Sequence, residues 1–304
     1  MMNRSVRRGR DRYLVIVADD LGRSSLVNRA IARAFDRGFL TAASLMAGGD
    51  AFEEAVTLAR IRPALSVGLH VTLCDGRAVL APSDVPGLID RESWFVRSPL
   101  RAGLRYWRLR RQLKREIEAE IEAQFDRLQE AGITPTHVDG HHHLHMHPAI
   151  FELVCRAAAR RRVAWVRIPR ESLAVLARAT MSIGARRLAE WAAFRMLAVH
   201  NLKIASEYGL KTASHIVGLP RTGIRGRESK LDEKYFLDLL LLLKGVTNEI
   251  YAHPDLATEA GRRETEALVS VHIREGAASC GLACTGYSEL LGAIDTQGVQ
   301  EMRK

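Results

Sequence analysis

One stretch of the sequence decides which kind of fold the chain can form, and it reads Tyr13-Leu14-Val15-Ile16-Val17-Ala18-Asp19-Asp20. The apolar run is rich in β-branched residues, which is typical of a strand buried on both faces. Such strands form parallel sheets covered by helices, and catalytic loops collect at their carboxyl ends. The stretch therefore predicts a parallel α/β fold with Asp19 and Asp20 at the functional edge of the sheet.

Strand-like and helix-like segments alternate along the rest of the chain. Further strands are expected over residues 41–46, 65–69, 133–138, 163–168, 212–219, 248–252 and 282–285. Helical patterns lie over residues 26–38, 51–60, 113–131, 149–160, 233–243, 264–274 and 288–294. This alternation indicates a parallel α/β barrel or a doubly wound sheet.

Two segments depart from the repeat, within one expected catalytic domain over residues 13–304. Residues 75–112 form a long excursion with little periodicity, and such loops often cover a site. Residues 172–200 are rich in Ala, Leu and Arg and helical in propensity. A packing helix, an oligomerisation arm, a substrate cap and a membrane-surface helix all fit that composition. The basic residues 1–12 are expected to be a disordered tail.

Composition narrows the class of protein. No apolar run of the 304 residues approaches the roughly 18 needed to cross a bilayer, and the four cysteines show no CxxC spacing. We therefore expect a cytoplasmic protein with reduced thiols. The net charge of +10 suits nucleic acid, an anionic membrane surface or an acidic substrate. No nucleic-acid-binding motif accompanies the charge, so a nucleic-acid partner is not expected.

Histidine is concentrated in one place. Six of the eleven histidines fall between His137 and His147. Neutral imidazole is the commonest metal ligand near physiological pH, so the cluster predicts a metal site. A polar surface loop with incidental histidines is the alternative.

Other candidate ligands follow separate predicted strands, namely Asp19 and Asp20, His70, Asp139 and His141, and His253. If these strands are parallel neighbours, the side chains converge on one rim. Two histidines and one carboxylate leave coordination positions open, as in catalytic metal sites, and a divalent ion so held promotes hydrolysis. Adjacent strand residues point to opposite sides, so Asp19 and Asp20 are expected to play different parts.

Four ordered motifs resemble the YdjC family of carbohydrate deacetylases, which includes chitooligosaccharide deacetylases. They are Val17-Ala18-Asp19-Asp20-Leu21-Gly22, Val67-Gly68-Leu69-His70, the segment from Thr136 to Pro148, and Ala252-His253-Pro254. The resemblance implies a distorted (β/α) barrel of the glycoside hydrolase/deacetylase type, with residues 172–200 as a helical insertion. It also implies one divalent metal ion, Zn or Mg, and an N-acetylated amino-sugar substrate.

Residue by residue, the resemblance assigns the metal to Asp20, His70 and His141. Asp19 would be the general base and His253 the general acid. The residues left to contact substrate or to orient the ligands are Asp139, His142, His143, His145 and Arg167.

Within the family, residues 40–46, the arginine-rich excursion and residues 172–200 look more like the hopanoid-biosynthesis-associated HpnK branch. That likeness implies an N-acetylglucosaminyl hopanoid lipid as substrate, with peripheral contact at the inner face of a membrane. A homodimer is a further hypothesis. The alternatives are a deacetylase of soluble chitooligosaccharides and a metal-binding scaffold without catalysis.

Overall fold

The structure is a computed structural model that describes residues 12–107, 111–172, 185–218 and 232–293. Its strands form one sheet in which every pair is parallel. They are β1 (Arg12–Leu21), β2 (Ala42–Leu45), β3 (Ser66–Val71), β4 (His137–Gly140), β5 (Trp165–Val166), β6 (His215–Val217), β7 (Thr247–Ala252) and β8 (Leu282–Cys284). The order is β5-β4-β3-β2-β1-β7-β6, and β8 also pairs with β1.

The sheet curls into a distorted barrel. Its two edge strands, β5 and β6, approach each other through Lys211, which precedes β6 by four residues. The backbone N–H of Val166 donates to the Lys211 carbonyl at 2.9 Å, and Lys211 donates in turn to Ala164 at 2.8 Å. The predicted α/β barrel is therefore confirmed. At β1 the sheet is irregular, because β7 pairs along one edge while β8 and β2 pair with successive parts of the other.

Nine helices have defined bounds in the described part of the chain. They are α1 (Ser25–Arg37), α2 (Phe52–Arg60), α3 (Pro99–Trp107), α4 (Arg111–Glu130), α5 (Phe151–Arg160), α6 (Ala185–Glu207), α7 (Glu233–Leu240), α8 (Glu259–Leu268) and α9 (Val271–Ser279). A 3₁₀ segment, His141–Met146, follows β4 directly. The single helix expected over 264–274 is two helices, because the Ser270 hydroxyl caps a new start by accepting from the His272 N–H.

Strand β1 is buried on both faces, as its composition predicts. Leu14 and Ile16 pack in the large core under the helices, together with Val27 and Ile31 of α1. Val15 and Val17 lie in a smaller cluster with aromatic residues, Trp165, Tyr251 and Tyr287. Because successive strand residues alternate in direction, this second cluster marks the barrel interior, and Asp19 continues on that side.

Some boundaries differ from the predicted ones. Arg12 already belongs to β1, and residues 1–11 lie outside the described residues, as do 173–184 of the expected helical insertion. From Ala185 the chain is one helix, which continues to Glu207. This helix packs on the barrel, since Ala198 and Ala205 are buried and the Asn201 amide donates to the Met146 carbonyl at 3.0 Å.

In the described ranges we find no helix with the length and apolarity that a bilayer span requires.

The long excursion is held down by α4. The buried Glu120 carboxylate accepts the backbone N–H groups of Val79 at 2.8 Å and Leu80 at 3.0 Å. One helix turn earlier, Glu116 accepts the N–H of Gly87 at 2.6 Å. The amphipathic helix thus supplies carboxylates that replace the sheet partners this loop lacks.

Replacing Glu120 with alanine should lower the free energy of unfolding by about 2–3 kcal/mol, because two backbone donors and a buried amide lose their charged acceptor. Urea denaturation measures the change. Glu130→Ala, at the exposed end of the same helix, is the matched control and should cost less than about 0.5 kcal/mol. Equal losses in both variants would show that Glu120 does not anchor the excursion.

Candidate active site

The first two carboxylates of the site lie on a bulge at the end of β1. The register pairs Ala18 with Ala43 but then shifts, so that Leu21 pairs with Leu45. Asp20 has a φ of 66°, in the left-handed region that few non-glycine residues adopt. A bulge re-aims the side chains that it carries. Asp19 and Asp20 consequently face different partners, as the alternation argument predicts.

Asp20 points toward His70 of β3 and toward His141, the first residue after β4. Its Oδ1 lies 2.8 Å from His141 Nδ1 and 3.3 Å from His70 Nε2. All three side chains are buried, yet Asp20 Oδ1 has no partner of hydrogen-bond geometry among the residues that the structure describes. Their ligand atoms lie within 4.8 Å of one another. Atoms around an ion bound at about 2.0–2.2 Å stand roughly 3 Å apart, so this donor set fits a divalent metal.

His141 reaches this position because the chain reverses sharply after β4. His142 and His143 have φ values of 52° and 55°, two consecutive left-handed residues. Left-handed conformations cost roughly 1–2 kcal/mol per residue outside glycine, so packing must hold them. Gly140 allows the reversal, since a Cβ there would lie 2.9 Å from the His145 Cβ.

His70 is oriented by Asp139. Its Nδ1 lies 2.7 Å from Asp139 Oδ1, which places a ring proton on Nδ1 and turns Nε2 toward Asp20. Burial alone lowers the pKa of His70, but the nearby carboxylates, Asp139 first among them, raise it to about 10.

A buried arginine holds the carboxylates of the site together. Arg167 Nη1 lies 2.8 Å from both Asp19 Oδ2 and Asp139 Oδ2, and Nε donates to Glu249 of β7. Its guanidinium also stacks over the Tyr251 ring, 4.6 Å from the centroid. Burial works against the charge, yet the three carboxylates raise the pKa of Arg167 well above its usual value.

The predicted acid, His253, follows β7. Its Nε2 lies 3.7 Å from Asp19 Oδ2, and about one third of the side chain is exposed. The backbone N–H of His253 donates to Glu264 at 2.6 Å, which fixes the start of its loop. The second oxygen of Asp19, Oδ1, is buried and has no hydrogen-bond partner in the described ranges. Asp19 therefore has one oxygen held by Arg167 and one available for chemistry.

The remaining histidines of the cluster divide into inner and outer groups. His143 Nε2 lies 3.0 Å from the Tyr251 hydroxyl, and His145 Nε2 lies 2.9 Å from the Arg167 carbonyl. Burial lowers the pKa of both, to about 4 for His145. His142 is the most exposed of the three, with Nε2 3.5 Å from Asp75 Oδ2. Of these three histidines, His142 is therefore the one placed to meet a molecule entering from solvent.

Sequence reasoning missed four residues that the structure brings to the site: Asp75, Ser44, Glu249 and Tyr251. Asp75 lies 3.8 Å from His141 Nε2, and Ser44 donates to Asp139 at 2.7 Å. Glu249 carried a detectable signal, because an acidic residue inside a strand-like run is unusual. No sequence pattern pointed to Asp75, because its distance from His141 depends on the path that the excursion takes after β3.

Comparison with known proteins shows which family this chain resembles. The family model described as YdjC-like protein matches residues 13–279. A carbohydrate deacetylase of Geobacillus stearothermophilus is 41% identical over 153 residues, which cover 50% of this chain and 58% of that protein. A chitooligosaccharide deacetylase of Salmonella typhimurium is 36% identical over 167 residues, covering 54% and 62%. The aligned part of this chain thus spans less than two thirds of these relatives.

A solved structure from Enterococcus faecalis, whose proposed role is cellobiose-phosphate cleavage, has the same fold. It superposes with a TM-score of 0.70 at 21% identity and covers 92% of this chain and 99% of that one. Identity this low supports the barrel architecture alone. The family follows from the sequence match, which extends over most of the 304 residues, and the protein therefore belongs to the YdjC-like family.

Proposed function

We propose that the protein is a divalent-metal-dependent deacetylase that hydrolyses the N-acetyl group of an amino sugar. The observation that carries the proposal is the buried triad of Asp20 Oδ1, His70 Nε2 and His141 Nδ1, which face one another beside the half-free carboxylate of Asp19. Relatives named carbohydrate deacetylase and chitooligosaccharide deacetylase support the reaction class. We place the whole catalytic unit in one domain over residues 13–304.

The donor set fits either zinc or magnesium. Two imidazoles favour zinc, whereas the nearby carboxylates favour a harder ion such as magnesium. When bound, such an ion lowers the pKa of water toward 7 and polarises a carbonyl, which is the chemistry that amide hydrolysis needs. Asp139 supports the ligand set by orienting His70.

Asp19 is placed to act as the general base. Its Oδ2 is fixed by Arg167 at 2.8 Å, so Oδ1 keeps a constant direction while remaining free of hydrogen bonds. Oδ1 accepts the proton of the attacking water as the new carbon–oxygen bond forms at the acetamide carbonyl. Because the carboxylate is held in advance, the reaction needs little reorganisation at this step.

His253 is placed to act as the general acid. It is the part-exposed neighbour of Asp19, so it reaches both the base and the incoming substrate. It donates a proton to the amide nitrogen as the carbon–nitrogen bond breaks, and the products are acetate and the free amine. His142, exposed at the rim, contacts the sugar, while His143 and His145 keep the interior packed.

For the substrate we propose an N-acetylglucosaminyl hopanoid, which agrees with the basic and amphipathic character of the excursion. A soluble chitooligosaccharide is the second candidate, and the Salmonella typhimurium relative favours it. A scaffold without catalysis fits less well, because the chain has both Asp19 and His253, whose side chains lie 3.7 Å apart.

His70→Ala and His141→Ala should each lose the bound metal and reduce acetate release to background, because each removes one of three ligands. Metal content after chelation and reconstitution is measured together with acetate release. His200→Ala, at an exposed position on α6, is the matched control and should change neither. Full acetate release from a metal-free double variant would rule out the mechanism.

Asp19→Asn should keep the metal but lower kcat/KM by about 10²–10⁴-fold, because asparagine retains an oxygen for Arg167 and cannot take a proton. Equilibrium metal titration and steady-state kinetics report the two effects separately. Asp36→Asn, at an exposed carboxylate near the end of α1, controls for the change of charge. A variant within about threefold of the wild-type rate would remove Asp19 from the role of base.

The substrate proposal is tested by comparing acetate release from a glycosylated hopanoid and from chitobiose, with zinc or magnesium restored after chelation. We expect the higher kcat/KM on the lipid-linked sugar. Turnover of chitobiose alone would instead establish the second candidate.

A further inference from the structure

Helix α3 carries an unusual concentration of exposed apolar side chains. Nine large apolar residues are exposed in the described ranges, and three of them lie on this nine-residue helix. Leu100 is 74% exposed, Leu104 62% and Trp107 68%. Together with the exposed Arg101 and Arg105 they form what we call the α3 face. Apolar groups this exposed, clustered on one helix, are typical of a surface that meets a partner.

The orientation of the helix is fixed by its opposite side. Ala102 and Tyr106 are buried, and the Tyr106 hydroxyl donates to the Leu73 carbonyl at 2.7 Å. Leu100, Leu104 and Trp107 follow the spacing i, i+4, i+7, so they share one stripe. Rotation that buried this stripe would break the Tyr106 contact. The apolar stripe is therefore held outward by the fold itself.

The surroundings of the stripe are strongly cationic. Between residues 97 and 115 the sequence contains no acidic residue. The exposed cations of this stretch in the described ranges are Arg97, Arg101, Arg105, Arg111, Lys114 and Arg115. A helix with apolar and basic groups exposed together matches the pattern of helices that lie in the interface of an anionic bilayer.

The α3 face borders the candidate active site. The Trp107 ring lies 5.2 Å from that of His147, centroid to centroid. At Gly103 a Cβ would lie 3.9 Å from Leu144 Cδ1, an ordinary packing distance. Leu144 belongs to the 3₁₀ segment that begins with the proposed ligand His141. A surface that binds α3 therefore comes close to the loop that carries the histidines.

We propose that the α3 face docks the protein on the surface of an anionic lipid bilayer, with Leu100, Leu104 and Trp107 entering the headgroup region. The six exposed cations around this face, with no acidic residue among them in the sequence, disfavour a protein partner, because charged residues are depleted in the core of protein interfaces. RNA would explain the arginines but not the two outward leucines. The docking stands independently of the proposed deacetylase activity, and it gives that activity access to a lipid-linked sugar.

The test measures co-sedimentation of the full chain with vesicles. Vesicles containing about one third phosphatidylglycerol should bind at least about tenfold better than phosphatidylcholine alone, and added salt should weaken the binding. The triple variant Leu100→Ser, Leu104→Ser, Trp107→Ser should lose at least about tenfold in partitioning. The matched control carries Ile61→Ser, Leu241→Ser and Val271→Ser, at similarly exposed positions outside α3, and should bind like wild type.

A second variant, Arg101→Glu with Arg105→Glu, keeps the apolar stripe and should also lose binding to the anionic vesicles. Equal binding by wild type and both α3 variants, or equal loss in the Ile61, Leu241 and Val271 control, would overturn the proposal.

Two other outcomes would also overturn it. Conversion of a dimer to a monomer by the triple variant would assign the face to a second copy, and displacement of vesicles by RNA would assign it to nucleic acid. Acetate release from chitobiose should stay unchanged in the α3 variants, so failed docking and failed catalysis are distinguishable.

Discussion

The rest of the structure depends on one buried cation. Arg167 has no exposed side-chain surface and contacts Asp19, Asp139 and Glu249, which belong to three different strands of the barrel. An unpaired charge at this depth would be prohibitively costly, so the guanidinium and its carboxylates require one another. This shared requirement fixes the relative positions of β1, β4 and β7. The positions of Asp19 and of Asp139, which orients His70, are consequently set by the same interaction.

The buried charges of the interior bear on the proposed metal site. Four carboxylates, those of Asp19, Asp20, Asp139 and Glu249, are buried here. Arg167 contacts three of them, whereas Asp20 pairs with Arg23 at 3.0 Å. The pKa of Glu249 is raised, because burial outweighs the lowering effects of Arg167 and Tyr287. The pKa of Asp139 is lowered, because the charges of Arg167 and His70 outweigh burial. Asp20 is the carboxylate that Arg167 does not contact, and it lies on the His70 side of the network. The proposed divalent ion would be held there, between Asp20 and the two histidines.

The parts of this arrangement that depend on local sequence were predictable. The apolar run before Asp19 predicts the doubly buried strand that the structure has. The density of histidine after Val138 predicts a cluster at the end of β4, and its binding of a metal stays a prediction. The bulge at Asp20 was not predictable, because it lies in the register that β1 adopts against β2 beyond Ala18. The approach of Asp75 depends on the path of the excursion. Both features result from tertiary packing, which residue propensities do not describe.

The position of β1 in the sheet also has a consequence for synthesis. Of the strands in this sheet, β1 leaves the ribosome first, yet two of its neighbours, β7 and β8, begin at Thr247 and Leu282. Its pairing with them therefore has to wait for more than two hundred further residues to be made. Until then an apolar strand edge stays open, the kind of surface that draws chains into aggregates. While the chain is being made, shielding by a chaperone would therefore matter most at β1.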